Sequence, residues 1–165
     1  MTPAQRSATP ARASSAGLLL YRQGARGWEV LLVHPGGPFW RKRDAGAWSI
    51  PKGAPEPGED DAAAALREFR EETGSLPAGT PVPLGRIRQK AGKEVVAFAL
   101  HGDFDPATLR SNTFELEWPP HSGRLQAFPE VDRAEWFDLD AAREKLIEGQ
   151  RPLIQRLQDW LRAAG

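Results

Sequence analysis

The sequence predicts an α/β fold in which a mixed sheet is packed by helices on both faces. Three observations lead there. β-prone runs recur from Gly17 to Phe137, one strongly helical run from Asp60 to about Thr73 interrupts them, and two further helical stretches close the chain. Because strands and helices do not alternate regularly, neither an all-helical nor an all-strand core is expected.

Gly17 to Arg22 and Trp28 to His34 are β-prone and separated by Gln23-Gly24-Ala25-Arg26-Gly27, a hairpin pattern. The irregular stretch from His34 to Gly46 leads to a short apolar strand, Ala47 to Ile50, stopped by Pro51. Asp60 and Asp61 suit the positive end of a helix dipole, four alanines and Leu66 have high propensity, and Gly74 suits the C-terminal stop. Val82 to Gln89 and Lys93 to His101 read as strands around the turn Lys90-Ala91-Gly92. Phe114, Leu116 and Trp118 alternate with Glu115 and Glu117 in another strand, cut off by Pro119 and Pro120. Ala134 to Phe137 is a final strand; Asp140 to Glu148 and Leu153 to Ala164 are helices divided by Gly149 and Pro152.

At 165 residues the chain suits one domain, residues 16–165, preceded by a disordered leader over 1–15, where small and polar residues prevail. Its 22 basic residues balance 22 acidic ones, so no net field recruits a nucleic acid polymer or a membrane surface. There is no cysteine, which excludes disulfides, thiolate metal sites and a cysteine nucleophile, and fits a reducing cytoplasm. The apolar run Ala16 to Tyr21 is too short to span a bilayer. The stripe Leu153, Leu157, Leu161 with Trp160 serves a core or a homo-oligomer equally.

Chemistry concentrates between Ser49 and Ser75, which holds three prolines, three glycines and seven carboxylates. At about 100° per residue, Ala62, Ala65, Leu66 and Phe69 share one side of the helix, while Glu68, Glu71 and Glu72 share an arc on the other. Such like charges cost a few tenths of a kcal/mol per exposed pair, roughly, and a divalent cation turns the repulsion into attraction. A solvated acidic face balanced by Arg67 and Arg70 accounts for a bare Glu-x-x-Glu-Glu equally well. The residues before the helix weigh against it: Pro51 and Pro57 stiffen the approach, while Gly53 and Gly58 allow close backbone passage. Oxygen donors without histidine or sulfur favour magnesium, then manganese, and magnesium commonly bridges carboxylates to phosphates.

Gly53, five residues, Glu59, seven residues, then Arg67-Glu68-Phe69-Arg70-Glu71-Glu72-Thr73-Gly74 resembles the Nudix box of the Nudix hydrolases. All seven fixed positions of that box are present. Its final aliphatic position is Ser75 here, with Leu76 the candidate to take over the packing. The resemblance implies an α/β/α sandwich and metal-dependent hydrolysis of a nucleotide-linked diphosphate, a small-molecule substrate. It also implies metal ligation by Glu68, Glu71, Glu72 and the Gly53 carbonyl, and a structural pair of Arg67 with Glu59. A further glutamate beyond the box commonly joins the site; Glu115, Glu117 and Glu130 are the candidates, Glu130 first.

Residues outside the box bear on the substrate. Trp48 to Gly53 resembles the approach to the box in the diadenosine polyphosphate hydrolase branch, with Lys52 available to phosphate or simply an exposed lysine. Trp40, Arg41 and Arg43 suit a nucleotide with several phosphates, the alternative being that Phe39 and Trp40 cap the core. Lys90 and Lys93, flanking the turn at Gly92, read as solvated turn lysines ahead of the alternative that they add phosphate contacts, and Trp118 and His121 read as pocket residues or as core packing and a surface loop residue, respectively. The leading substrate class is a dinucleoside or nucleoside polyphosphate. The alternatives are a sanitising pyrophosphohydrolase for noncanonical or oxidised nucleoside triphosphates and a non-catalytic nucleotide-sensing module.

Overall fold

Leu18 to Leu20 and Val30 to Leu32 are fully buried at every position, so neither strand can turn a face to water. A computed structural model describes residues 14–164. β1 (Ser14–Gly24) and β2 (Gly27–Pro35) form the hairpin, and β3 is the two-residue strand Lys52–Gly53. α1 (Asp61–Thr73) follows, then β4 (Val82–Arg88) and β5 (Glu94–His101), joined by a 3-10 turn at Lys90–Gly92. β6 (Thr113–Glu117), β7 (Leu125–Pro129), β8 (Val131–Asp138), α2 (Leu139–Lys145) and α3 (Pro152–Ala164) complete the order.

The main sheet runs β4-β5-β1-β2-β8, with β3 added beside β1. β1 and β5 are parallel and the remaining pairs antiparallel, which makes the sheet mixed. Period-two alternation divides the core. Leu19, Val30, Leu32, Ala97 and Ala99 face Ala142, Leu146, Leu153, Ile154 and Leu157 around α2 and α3. Leu18, Leu20, Leu31, Phe98 and Leu100 face Ala64, Ala65 and Phe69 of α1. Helices therefore cover both faces, as an α/β/α sandwich requires. Among the described residues no helix is long and apolar enough to cross a membrane.

Several expectations need correction. Ser14 and Ser15 already belong to β1, paired with Glu94 and Val95, because adding them extends the ladder with β5; the rest of the expected leader, residues 1–13, lies outside the described residues. The strand expected at Ala47 to Ile50 is reduced to isolated bridges, Val33 with Ser49 and Trp48 with Leu146. The pairing resumes beyond Pro51, at Lys52–Gly53. β7 was not anticipated, since Leu125 to Pro129 lacks a buried face: it pairs only with β6 in a separate hairpin. The stripe on α3 serves the core, with Leu153 and Leu157 fully buried and Trp160 and Leu161 packed against them.

Candidate active site

The site is built on α1 and on the short strand beneath it. Asp60 accepts a hydrogen bond from the Ala63 N–H at 2.7 Å, and Gly74 ends the helix at φ 84° while its N–H donates to the Arg70 carbonyl at 2.8 Å. β3 pairs Lys52 with Gly17 and Gly53 with Ala16, which carries the Gly53 backbone directly under Glu68. A Cβ at Gly53 would collide with the Glu68 carboxyl group. Gly53→Ala is accordingly expected to push Glu68 aside and cut kcat by roughly 10- to 100-fold, while the melting temperature moves little, since the flexible carboxylate yields first. Unchanged steady-state kinetics in a folded variant would refute that placement.

Arg67 organises the carboxylates. Its Nε and Nη2 donate to the two oxygens of Glu59, both at 2.9 Å. Nη2 also donates to the Ala54 carbonyl at 3.0 Å, and Nη1 to Glu68 at 3.0 Å and Glu71 at 2.9 Å. All five guanidinium donors are thus engaged, which a lysine could not reproduce. Arg67, with the Glu56 N–H, holds the Glu59 carboxyl below the usual carboxylate range.

Glu72 lies deeper, 6% exposed, and accepts from the Lys52 backbone N–H at 3.2 Å. Burial first, then the charges of Glu68 and Glu130, push its carboxyl up to about 9 despite Lys52. Burial and the neighbouring Glu71 also raise Glu68, against the pull of Arg67. Among the described residues no three acidic groups close on one point, since Arg67 draws Glu68 and Glu71 towards itself. The donors nevertheless fit a hard divalent cation. They are all oxygen, Gly53 leaves the Glu68 carboxylate against its backbone, and Glu72 is a buried acid that a cation would return to the carboxylate form.

Asn112 and Arg110 cap the far end of α1, donating from their N–H groups to the carbonyls of Glu71 (2.8 Å) and Thr73 (2.9 Å). Asn112 in turn accepts from the Glu130 N–H at 2.9 Å, and the Ser111 hydroxyl from the Val131 N–H, also at 2.9 Å. This chain of bonds sets Glu130 beside the box, where Lys52, Glu72 and Glu130 line one pocket of about 160 Å³. Burial and Glu71 raise the Glu130 carboxyl as well. Glu115 and Glu117 are exposed on the β6–β7 hairpin, and Glu117 accepts from the Gly123 N–H at 2.7 Å; neither lines the pocket that holds Glu72 and Glu130. Arg133 pairs with Asp132 and Glu135 rather than with Glu130.

A second cleft, about 470 Å³, is lined by Trp40, Arg43, Lys90, Lys93 and Arg151, among others. The Arg43 segment is tethered by buried His34, whose ring contacts the Arg43 carbonyl at 2.6 Å and Asp132 at 2.8 Å. Arg41 is exposed and lines neither cavity. Phe39 and Trp40 do not cap the core: Phe39 is 63% exposed and packs edge-on against Trp118, 5.4 Å away. His121 sits exposed in the hairpin turn at φ 62°. Leu76 is 58% exposed and replaces no aliphatic packing. The helix exit is held instead by Thr73, whose hydroxyl donates to the Phe69 carbonyl at 2.7 Å and accepts from the Ser75 N–H at 3.2 Å.

A family model described as NUDIX domain matches residues 11–157. The chain belongs to the NUDIX family. It is a Nudix hydrolase, an enzyme that cleaves nucleotide-linked phosphoanhydrides. It is 29% identical over 157 residues to an RNA pyrophosphohydrolase of Rhodospirillum rubrum, covering 90% of this chain and 92% of that one. It is also 36% identical over 118 residues to an octanoyltransferase of Myxococcus xanthus; that match takes in 70% of this chain but only 30% of the length of the transferase. Among solved structures, the NUDIX domain of Shewanella oneidensis NrtR complexed with ADP ribose shares the fold with a TM-score of 0.62 at 19% identity, covering 98% and 99% of the two chains. A C. elegans Ap4A hydrolase binary complex shares it with a TM-score of 0.59 at 22% identity, covering 92% and 98%.

Sequence reasoning missed two residues of this Nudix domain. Arg151 follows a helix break and carried no motif, yet it lines the cationic cleft. Gln150 is fully buried and its polar atoms are all engaged; it lies between Gly149 and Arg151 at the break before α3, where no sequence pattern marked it.

Proposed function

We propose that this domain hydrolyses a phosphoanhydride bond within a dinucleoside polyphosphate or a nucleoside polyphosphate, using magnesium or manganese. One observation carries the reading: Lys52 lines one pocket with Glu72 and Glu130, beside the carboxylates organised by Arg67. A lysine among glutamates suits a substrate that brings phosphate charge and a cation together.

Glu68, Glu71, Glu72 and the Gly53 carbonyl are the groups that would hold the cation. When bound, a divalent cation supplies neutralisation of phosphate charge and activation of water. The protein's part is positioning. Lys52 steadies a phosphate oxygen, Glu130 is placed to accept a proton from attacking water, and the Arg67–Glu59 fork fixes the helix that presents the ligands.

The test is turnover of a nucleotide panel by the purified protein with magnesium or manganese, products being separated by chromatography. A mononucleotide plus a nucleoside triphosphate from a dinucleoside tetraphosphate is the expected result. Nucleoside monophosphate plus pyrophosphate, formed only from oxidised nucleoside triphosphates, moves the reading to a sanitising enzyme. Preferential release of pyrophosphate from RNA moves it towards the activity named for the Rhodospirillum rubrum relative. Tight binding without turnover leaves a nucleotide-sensing module.

A further inference from the structure

The cationic cleft lies outside the carboxylate chemistry, and its charge is unbalanced. Arg43, Lys90, Lys93 and Arg151 line it against one carboxylate, Glu148. Among the described residues none of these four cations forms an ion pair, whereas Arg67, Arg143 and Lys145 do. Four like charges around one hollow repel one another, and a bound polyanion converts that repulsion into affinity. Trp40 forms an aromatic side of the cleft, with the Arg43 guanidinium 5.6 Å from its ring centre.

The sheet sets where this charge lies relative to the carboxylates. Ala16 of β1 is paired on one side with Gly53 and on the other with Val96. β3 and β5 are therefore two strand spacings apart, roughly 10 Å. Lys93 immediately precedes β5, and its charge is felt at Lys52. Gln150 is the shared wall. It accepts from the Ile50 N–H at 2.9 Å and donates to the Ser49 hydroxyl at 2.9 Å and the Gln89 side-chain carbonyl at 2.8 Å. Ser49 and Ile50 line the carboxylate pocket, and Gln89 lines the cationic cleft.

We propose that this cleft is a subsite for the polyphosphate chain beyond the bond that is cut, so that the enzyme selects long phosphate chains over simple diphosphates. The proposal rests on the phosphoanhydride reading of the adjacent pocket. A diphosphate linked to a neutral group spans the carboxylates and Lys52; further phosphates extend past Lys93 towards Arg151 and Arg43.

Two measurements on the full chain test it. Inorganic tripolyphosphate, titrated calorimetrically without divalent metal, is expected to bind the parent, and Lys93→Ala/Arg151→Ala is expected to weaken it at least tenfold. Arg26→Ala/Arg162→Ala, which removes two charges near the β1–β2 turn, at the other end of β1 from Lys93, serves as the charge-matched control and leaves the affinity within twofold. With magnesium, the ratio of kcat/KM for a dinucleoside tetraphosphate over an ADP-sugar is expected to fall at least tenfold in the double variant, chiefly through KM for the longer substrate. Equal tripolyphosphate affinity in parent and double variant, with matching circular dichroism, overturns the proposal, as does an unchanged ratio. If the parent turns over no phosphoanhydride at all, the hydrolase reading fails, while the tripolyphosphate titration still decides whether the cleft binds phosphate chains.

Discussion

Glu72→Gln is expected to lower kcat/KM by at least about a hundredfold, since the loss of a direct ligand should exceed the 10- to 100-fold typical for groups that merely support one. It is also expected to raise the melting temperature of the cation-free protein at pH 8. Both effects come from one feature: the carboxyl is buried among Glu68 and Glu130 and is pushed up to about 9. The native state keeps a proton there that the unfolded chain releases above the ordinary carboxylate range. Native binding of the extra proton means that stability falls as pH rises from about 4.5 towards 9. Glutamine removes that dependence. Cation binding to the parent must displace the same proton, so apparent affinity for magnesium is expected to rise with pH up to about 9, with close to one proton released per ion. Calorimetry in buffers of different ionisation enthalpy measures the proton, and thermal scans from pH 6 to 9 measure the stability. A variant with parental turnover, or a parent whose magnesium affinity ignores pH, contradicts the placement of Glu72.

Arg67→Ala should act in the opposite sense on stability. It leaves Glu59, Glu68 and Glu71 without their shared cation, and the Ala54 carbonyl without its donor. Breaking a buried ion pair costs about 3–5 kcal/mol, but the Arg67 side chain is 24% exposed, so a loss of roughly 2 kcal/mol is expected. At about 2–4 °C per kcal/mol for a domain of this size, the melting temperature falls by about 4–8 °C. Turnover falls with it, because the Gly53–Glu59 loop loses its tie to α1. Arg67→Lys restores charge without the fork and is expected to recover only part of either loss. In a double-mutant cycle with Glu59→Gln, thermal denaturation should show strong non-additivity; additive effects argue that the two residues act separately.

How much of this was legible beforehand depended on whether the cause was local. The boundaries of α1 followed from Asp60, the alanines and Gly74, because caps and propensity act within a turn of the helix. The box was legible for the same reason: its carboxylates, Gly53 and the Arg67–Glu59 spacing all fall within one contiguous segment. The mixed sheet between helices was legible because strand-forming and helical runs mix along the chain without regular alternation. β7 was not legible, since it is held only by the cross-strand partner β6.

By itself, then, the sequence determined the sandwich, the helix and the set of carboxylates. The sequence ranked Glu130 ahead of Glu115 and Glu117, but its position beside Glu72 is a matter of tertiary structure, because the hydrogen bonds that place it run from the end of α1 through Asn112. Tertiary structure also decided that Lys90 and Lys93, ordinary turn lysines in the sequence, share a cleft with Arg43 and Arg151. Those four residues are spread from position 43 to position 151, and only the packing of three loops around the sheet brings their charges into one field.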